Sequence, residues 1–165
     1  DVSQLQVMDP LKSGSHFDIC ESMRRVLISM EKKITDRHLD VDADIPEEPI
    51  LVRGDNDMIT QVIYNLLENA TKFAREGTTL YLGVTTIDGK ARVTVRNLGD
   101  TIPAEELPLL FERFHKSDKS RSEDKDGVGL GLYIVKTILE QHKEKINVTS
   151  ENGVTTFAFS LSMDA

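Results

Sequence analysis

Residues 65–73 read Asn-Leu-Leu-Glu-Asn-Ala-Thr-Lys-Phe. They lie in the clearest helical pattern of the chain, from about 56 to 74, with Asp55 placed to cap it. Ile59, Val62, Ile63, Leu66, Leu67, Ala70 and Phe73 follow the three- and four-residue spacing of one buried stripe. Asn65, Asn69 and Lys72 fall at i, i+4 and i+7 on a different face, so three polar residues line one ridge. Taken singly, Asn and Lys are ordinary on a solvated helix surface. They gain meaning from a second stretch, Gly127-Val128-Gly129-Leu130-Gly131-Leu132, with glycines at alternate positions leading into another apolar helix pattern. Backbone without Cβ atoms, opening onto a helix N-terminus, favours anions. Together the two stretches predict a Mg-nucleotide site built from two helices, with the charged residues 116–126 as a lid.

Outward from this pair the chain alternates helical and strand patterns. Asp18 is placed to cap a helix from about 19 to 36, with Ile19, Met23, Val26, Leu27 and Met30 on one face. Leu39, Val41 and Ala43 alternate with polar residues as a short strand, closed by Pro46 and Pro49, and Ile50-Leu51-Val52 is another. Residues 80–87 and 91–97 form a hairpin about Asp88-Gly89. A short helix is expected over 103–114 and a longer one over 128–142. Strands 145–150 and 155–161 flank Asn152-Gly153, with Phe157, Phe159 and Leu161 pointing inward. This mixture predicts a two-layer α/β sandwich: one mixed, mostly antiparallel sheet with three helices on one face. Residues 1–15 are polar and broken by Asp9-Pro10 and Ser13-Gly14-Ser15, so they read as the end of an upstream helix plus a linker. That leaves 16–165 as the domain.

The bulk numbers agree with one ordinary domain. The 165 residues are 39% hydrophobic and 29% charged. No apolar run approaches the roughly 20 residues that span a bilayer, and the N-terminus has no signal-peptide pattern. The chain begins with Asp1, which reads as a piece excised from a longer protein, with any membrane anchor elsewhere. A net charge of −8 argues against nucleic acid as a partner, because binding phosphates needs clustered Lys and Arg. The lone Cys20 is expected on a helix as a small apolar residue, compatible with a reducing cytoplasm. The four histidines show no metal-ligand spacing.

Mg²⁺ prefers hard oxygen ligands and commonly takes one or two protein groups plus substrate phosphates. Asn69 is the first candidate ligand and Asn65 the second, while Lys72 is placed to reach a phosphate. Rival glycine loops fit poorly. A Walker loop ends in Gly-Lys-Ser/Thr where this chain has Gly-Leu-Tyr. A dinucleotide fold has a strand directly before its glycines, and here a charged loop precedes them. The His-Arg-Asp and Asp-Phe-Gly signatures of protein kinases are absent.

These residues resemble a known family. Residues 65–73 look like the N box of sensor histidine kinases, and Asn97-Leu98-Gly99-Asp100-Thr101-Ile102-Pro103 looks like their G1 box. Leu110-Phe111-Glu112-Arg113-Phe114 is similar to the F box, residues 127–132 to the G2 box, and 153–161 to the closing strand motif. The resemblance runs from about Phe17 onward. It implies the Bergerat-type ATPase fold, shared with gyrase, a heat-shock chaperone and a mismatch-repair ATPase. By motif position it implies that Asn69 ligates Mg²⁺ with Asn65 in support, and that Lys72 touches phosphate. Phe73 and Asn97 would lie against adenine, Asn97 at the position that recognises the adenine amino group, and Gly99, Ile102 and Thr156 would also bind the nucleotide. Arg113 would position the γ-phosphate or dock the phosphoacceptor domain. Lys116, Lys119 and Arg121 would supply lid charge, and Gly127, Val128, Gly129, Leu130, Gly131 and Leu132 would shape the hinge and phosphate contacts.

The chain departs from that pattern in places. Asn97 stands where the family has Asp, so the charge-assisted bond to the base is lost. Thr101 replaces a second G1 glycine, Phe73 a Tyr, and Lys143-Glu144 the usual Gly-Gly, the last as a change of turn. The resemblance implies a catalytic domain that presents Mg-ATP to a histidine elsewhere. Its partners would be the dimerisation and phosphoacceptor domain of the same protein and a response regulator. The piece would be a monomeric cytoplasmic domain of a homodimeric parent anchored in the bacterial membrane. A degenerate docking module and an anti-sigma-type serine kinase on the same fold are the alternatives.

Overall fold

A computed structural model describes residues 9–11, 14–112 and 130–163. In chain order the elements are β1 (His16–Asp18), α1 (Ile19–Ser29), α2 (Glu31–Asp36), β2 (Asp40–Asp44), β3 (Leu51–Arg53), α3 (Asn56–Phe73), β4 (Thr79–Ile87), β5 (Lys90–Leu98), a 3-10 turn (Leu107–Leu109), α4 (Gly131–Gln141), β6 (Asn147–Glu151) and β7 (Val154–Ser162). Five strands form one sheet in the order β2-β4-β5-β7-β6; β2 runs parallel to β4 and the other pairs are antiparallel. β1 and β3 make a separate antiparallel pair, joined to the end of β7 through a Val52–Met163 bridge. The expected mixed, mostly antiparallel sandwich is what forms.

Asp18 shows how sequence turns into architecture here. One of its carboxylate oxygens accepts from the Cys20 amide at 3.0 Å, capping α1, and from the Ile50 amide at 3.1 Å, fixing the approach to β3. Cys20 is buried in α1, and burial pushes its thiol up. Both hairpins turn at residues in left-handed conformations, Asp88-Gly89 at φ 53° and 77° and Asn152-Gly153 at 52° and 79°. Those are the turns whose twist suits paired strands.

The strands bury alternate residues. Leu80, Leu82 and Val84 of β4, Ala91, Val93 and Val95 of β5, and Phe157, Phe159 and Leu161 of β7 face the helices. The α3 stripe of Ile59, Val62, Ile63, Leu66, Leu67 and Ala70 packs among them, flanked by Met23 and Val26 of α1 and Val135, Ile138 and Leu139 of α4. About 25 cal/mol per Å² of apolar surface removed from water drives this layer together.

Two expected helices change. The helix expected over 19–36 is two, because the Ser29 hydroxyl donates to the Val26 carbonyl at 2.7 Å and the buried Met30 turns the chain before α2. The helix expected over 103–114 is, in its described part, a bend and the Leu107–Leu109 turn. Pro108 has no N–H to donate four residues back, so a longer helix cannot continue through it. The start expected for α4 at 128 lies outside the described residues, within which the helix begins at Gly131.

Candidate functional site

The site grows from the polar ridge of α3. Asp55 caps this helix by accepting from the Met58 amide at 2.9 Å. With the apolar stripe buried, Asn65, Asn69 and Lys72 are left half-buried along the margin toward α4. Asn65 is held on both sides: its Nδ2 donates to the Gly131 carbonyl at 3.1 Å, and its Oδ1 accepts from Gln61 Nε2 at 2.7 Å. That bond places the ridge against the first residue of α4. Leu130, at the cap position of α4, has no side-chain oxygen to cap it, and the positive end of the helix dipole favours an anion there. Lys72 brings its ammonium 5.5 Å from the centre of the Phe73 ring. Leu130 and Leu132 are half-buried beside them and Gly131 is exposed.

The floor is Asn97. It continues the inward row of Ala91, Val93 and Val95 and is only 4% exposed. Its register partner on β7 is Thr155, also buried. No hydrogen bond of the Asn97 side chain occurs among the described residues.

Residues 98–102 are strapped in place around that amide. Arg75 donates its amide to the Leu98 carbonyl at 2.7 Å, and Gly99 bridges Ala74. A Cβ on Gly99 would lie 2.5 Å from the Phe73 carbonyl, so only glycine lets the end of α3 come this close. Gly99 donates to the Gly153 carbonyl at 2.8 Å, and Gly153 donates back to Thr101 Oγ1 at 2.7 Å. The Ile102 amide donates to Ser150 Oγ at 2.8 Å, and Ser150 Oγ pairs with Thr155 Oγ1 at 2.8 Å. Phe73, Asn97, Gly99 and Ile102 are thus brought together.

Thr156 is not among them. It lies on the opposite face of the sheet, where its Oγ1 accepts from Arg96 Nε at 3.2 Å, and the Arg96 guanidinium stands 5.0 Å from the Tyr81 ring centre. The residue on the site's side is Thr155. The inward alternation of Phe157, Phe159 and Leu161 carried that signal, since 155 shares their parity and 156 does not. Thr101 and Ser150 join across turns, and nothing in their spacing announces it. Arg113, Lys116, Lys119, Arg121, Gly127, Val128 and Gly129 lie outside the described residues.

At the far end of the helix pair, His142 locks α4 to α3. Its Nε2 accepts from the Asp55 amide at 3.1 Å and its Nδ1–H donates to the Ile138 carbonyl at 2.8 Å. Gly54 makes room, since a Cβ there would lie 2.7 Å from the ring. Burial holds the imidazole below its ordinary value of 6.5, against the opposing pull of the Ile138 carbonyl and the charges of Asp55, Glu144 and Asp9. Among the described residues no group of three or more His, Cys, Asp or Glu is placed to hold a metal.

The profile of the histidine kinase-, DNA gyrase B- and HSP90-like ATPases matches residues 54–165. The sensor histidine kinase CusS of Escherichia coli K12 is 40% identical over 110 residues, covering 67% of this chain and 23% of that protein. The sensor histidine kinase YkoH of Bacillus subtilis 168 is 33% identical over 139 residues, covering 84% of this chain and 30% of that one. The chain thus spans about a quarter of the length of such curated relatives. The nucleotide-free catalytic domain of histidine kinase ThkA superposes with a TM-score of 0.79 at 28% identity, covering 90% of this chain and 94% of that domain. ThkA in complex with the response regulator TrrA matches with a TM-score of 0.74 at 27% identity, over 91% of this chain and 42% of that one.

Proposed function

The chain belongs to the family of histidine kinase-, DNA gyrase B- and HSP90-like ATPases, and on that premise we propose that it is the ATP-binding catalytic domain of a sensor histidine kinase. It presents Mg-ATP to a histidine carried by a separate phosphoacceptor domain, and a response regulator then receives the phosphoryl group. The parent is a homodimer anchored in the bacterial membrane, with this domain in the cytoplasm.

One observation carries the reading: the Asn65–Gly131 bond joins the polar ridge of α3 to the start of α4, on the helix-covered side of the sheet that Asn97 also faces. Base, metal and phosphate thereby find suitable groups in one cleft. Asn97 meets the base, with Phe73 and Ile102 alongside. Asn69 offers its amide oxygen to Mg²⁺, and Asn65 holds α4 in register with it. Lys72 and the start of α4 face the phosphates. When bound, Mg²⁺ neutralises phosphate charge and helps align the transferred group. Phosphoryl transfer asks chiefly for such positioning and charge compensation, so neutral amides, one lysine and a helix terminus suffice without a protein nucleophile.

Calorimetric titration with ATP and Mg²⁺ tests this. One site with Kd between about 1 µM and 1 mM is expected. At a hundredfold excess of ligand over Kd the melting transition rises by the equivalent of about 2.7 kcal/mol. No heat and no shift at millimolar Mg-ATP would contradict the proposal.

A further inference from the structure

Asn97 differs from a carboxylate in more than charge. A carboxylate only accepts hydrogen bonds, whereas an amide offers a carbonyl acceptor and an NH₂ donor side by side. The edge of adenine at position 6 presents an amino donor next to an acceptor nitrogen, N1. A 6-oxopurine presents the reverse, a carbonyl acceptor next to an N1–H donor. One orientation of an asparagine amide complements the first edge, and the same amide turned over about its last torsion complements the second.

The described surroundings of Asn97 leave that choice open. No hydrogen bond among the described residues pins the amide in one orientation, although the residue is only 4% exposed. The Cα of Gly99 and the Phe73 carbonyl close against it border the Asn97 amide on its Nδ2 side, where a Cβ on Gly99 would lie 3.6 Å from Nδ2. Thr155, directly across the strand pair, is equally reversible. Its hydroxyl and that of Ser150 lie 2.8 Å apart, and either one can donate to the other. The Ile102 amide occupies only one acceptor position on Ser150. Arg96, the neighbour in sequence, turns to the opposite face toward Thr156 and Tyr81, and Arg75 and Asp100 pair at 3.6 Å with both side chains exposed.

We propose that Asn97 makes this site tolerant at purine position 6, so that it accepts 6-oxopurine nucleoside triphosphates alongside ATP. The inference rests on the nucleotide-site reading above. Asn97 is the specificity-determining residue, and the Ser150–Thr155 pair adapts its donor direction to the base that is bound.

The test compares ATP with inosine triphosphate, which differs from it only at the position 6 edge, each titrated with Mg²⁺ into the full chain. The wild type is expected to bind the two within about tenfold. Asn97→Asp is expected to widen the ratio in favour of ATP by about tenfold or more, because the carboxylate repels the 6-oxo group and strengthens the bond to the amino group. A melting curve checks that the variant folds, and the wild-type ratio stands by itself if it does not. ATP binding with inosine triphosphate more than about a hundredfold weaker in the wild type would overturn the tolerance and leave the nucleotide site intact. An unchanged ratio in a folded Asn97→Asp would also overturn it. Binding of neither nucleotide would overturn the site reading itself, and the inference with it.

Discussion

Asn65 and Asn69 are one helical turn apart, yet their amides are in different situations. Both ends of Asn65 are engaged, by Gly131 and Gln61, whereas the Asn69 amide makes no hydrogen bond among the described residues. Asn65 therefore serves as a brace between helices, and Asn69 is the one to which the metal role is assigned in the proposal. Replacing Asn69 with Ala should remove most of the Mg²⁺-dependent part of ATP affinity. Stability should move by no more than about 0.5 kcal/mol, because the residue lies off the buried stripe. Titrations with and without Mg²⁺, beside a thermal melt, check this; an intact Mg²⁺ dependence would refute the metal role. At this scale the sequence made the N-box ridge legible through helical spacing. It did not show which asparagine braces the helices, because that depends on Gly131 lying 66 positions away. Strand parity puts Thr155, not Thr156, on the helix-covered face.

At the scale of elements, α3 and α4 run antiparallel and are joined at both ends, by Asn65–Gly131 and by His142–Asp55. The second joint titrates. Nε2 accepts from a backbone N–H, so the folded state keeps the ring neutral, and burial lowers its pKa below 6.5. Above 6.5 the ring is neutral in folded and unfolded chains alike, and the joint contributes fully. As pH falls below 6.5 the unfolded chain takes up a proton that the folded chain refuses, and stability declines until the folded pKa is passed. The decline cannot exceed about 1.4 kcal/mol per pH unit for one proton. Urea unfolding between pH 7.5 and 5 should show this loss in the wild type and lack it in His142→Gln, measured as the difference between the two. Equal pH profiles would show that His142 does not couple to folding. The end of α4 also explains Lys143, expected only as a change of turn. It takes φ 59°, the left-handed position of a Schellman cap closed by Glu144 donating to the Leu139 carbonyl at 2.8 Å. Glycine would adopt that conformation with less strain. The broken α1–α2 pair and the short 3-10 turn show the limit of periodicity. Apolar spacing marks which face is buried, while a serine hydroxyl or a proline decides where a helix stops.

For the whole molecule, the sandwich was legible because each strand and helix announces its buried face, and the two Asx-Gly turns fix the hairpins. The separate β1–β3 pair was not, since it depends on Asp18 meeting the Ile50 amide 32 residues away. Helical spacing made the α3 ridge legible, but the polar straps around residues 98–102, through Thr101, Ser150 and Thr155, are contacts between distant turns. The central claim is one of place: nucleotide binds on the helix-covered side of the sheet, among α3, the start of α4 and residues 97–102. An amide shift map of the isotope-labelled chain, titrated with Mg-ATP, tests it most directly. The largest shifts should fall on Gly99, Ile102 and Gly131 and on the side-chain amides of Asn69 and Asn97, with Tyr81, Arg96 and Thr156 on the opposite face left almost unmoved. Shifts concentrated on that opposite face, with residues 97–102 undisturbed, would contradict the account.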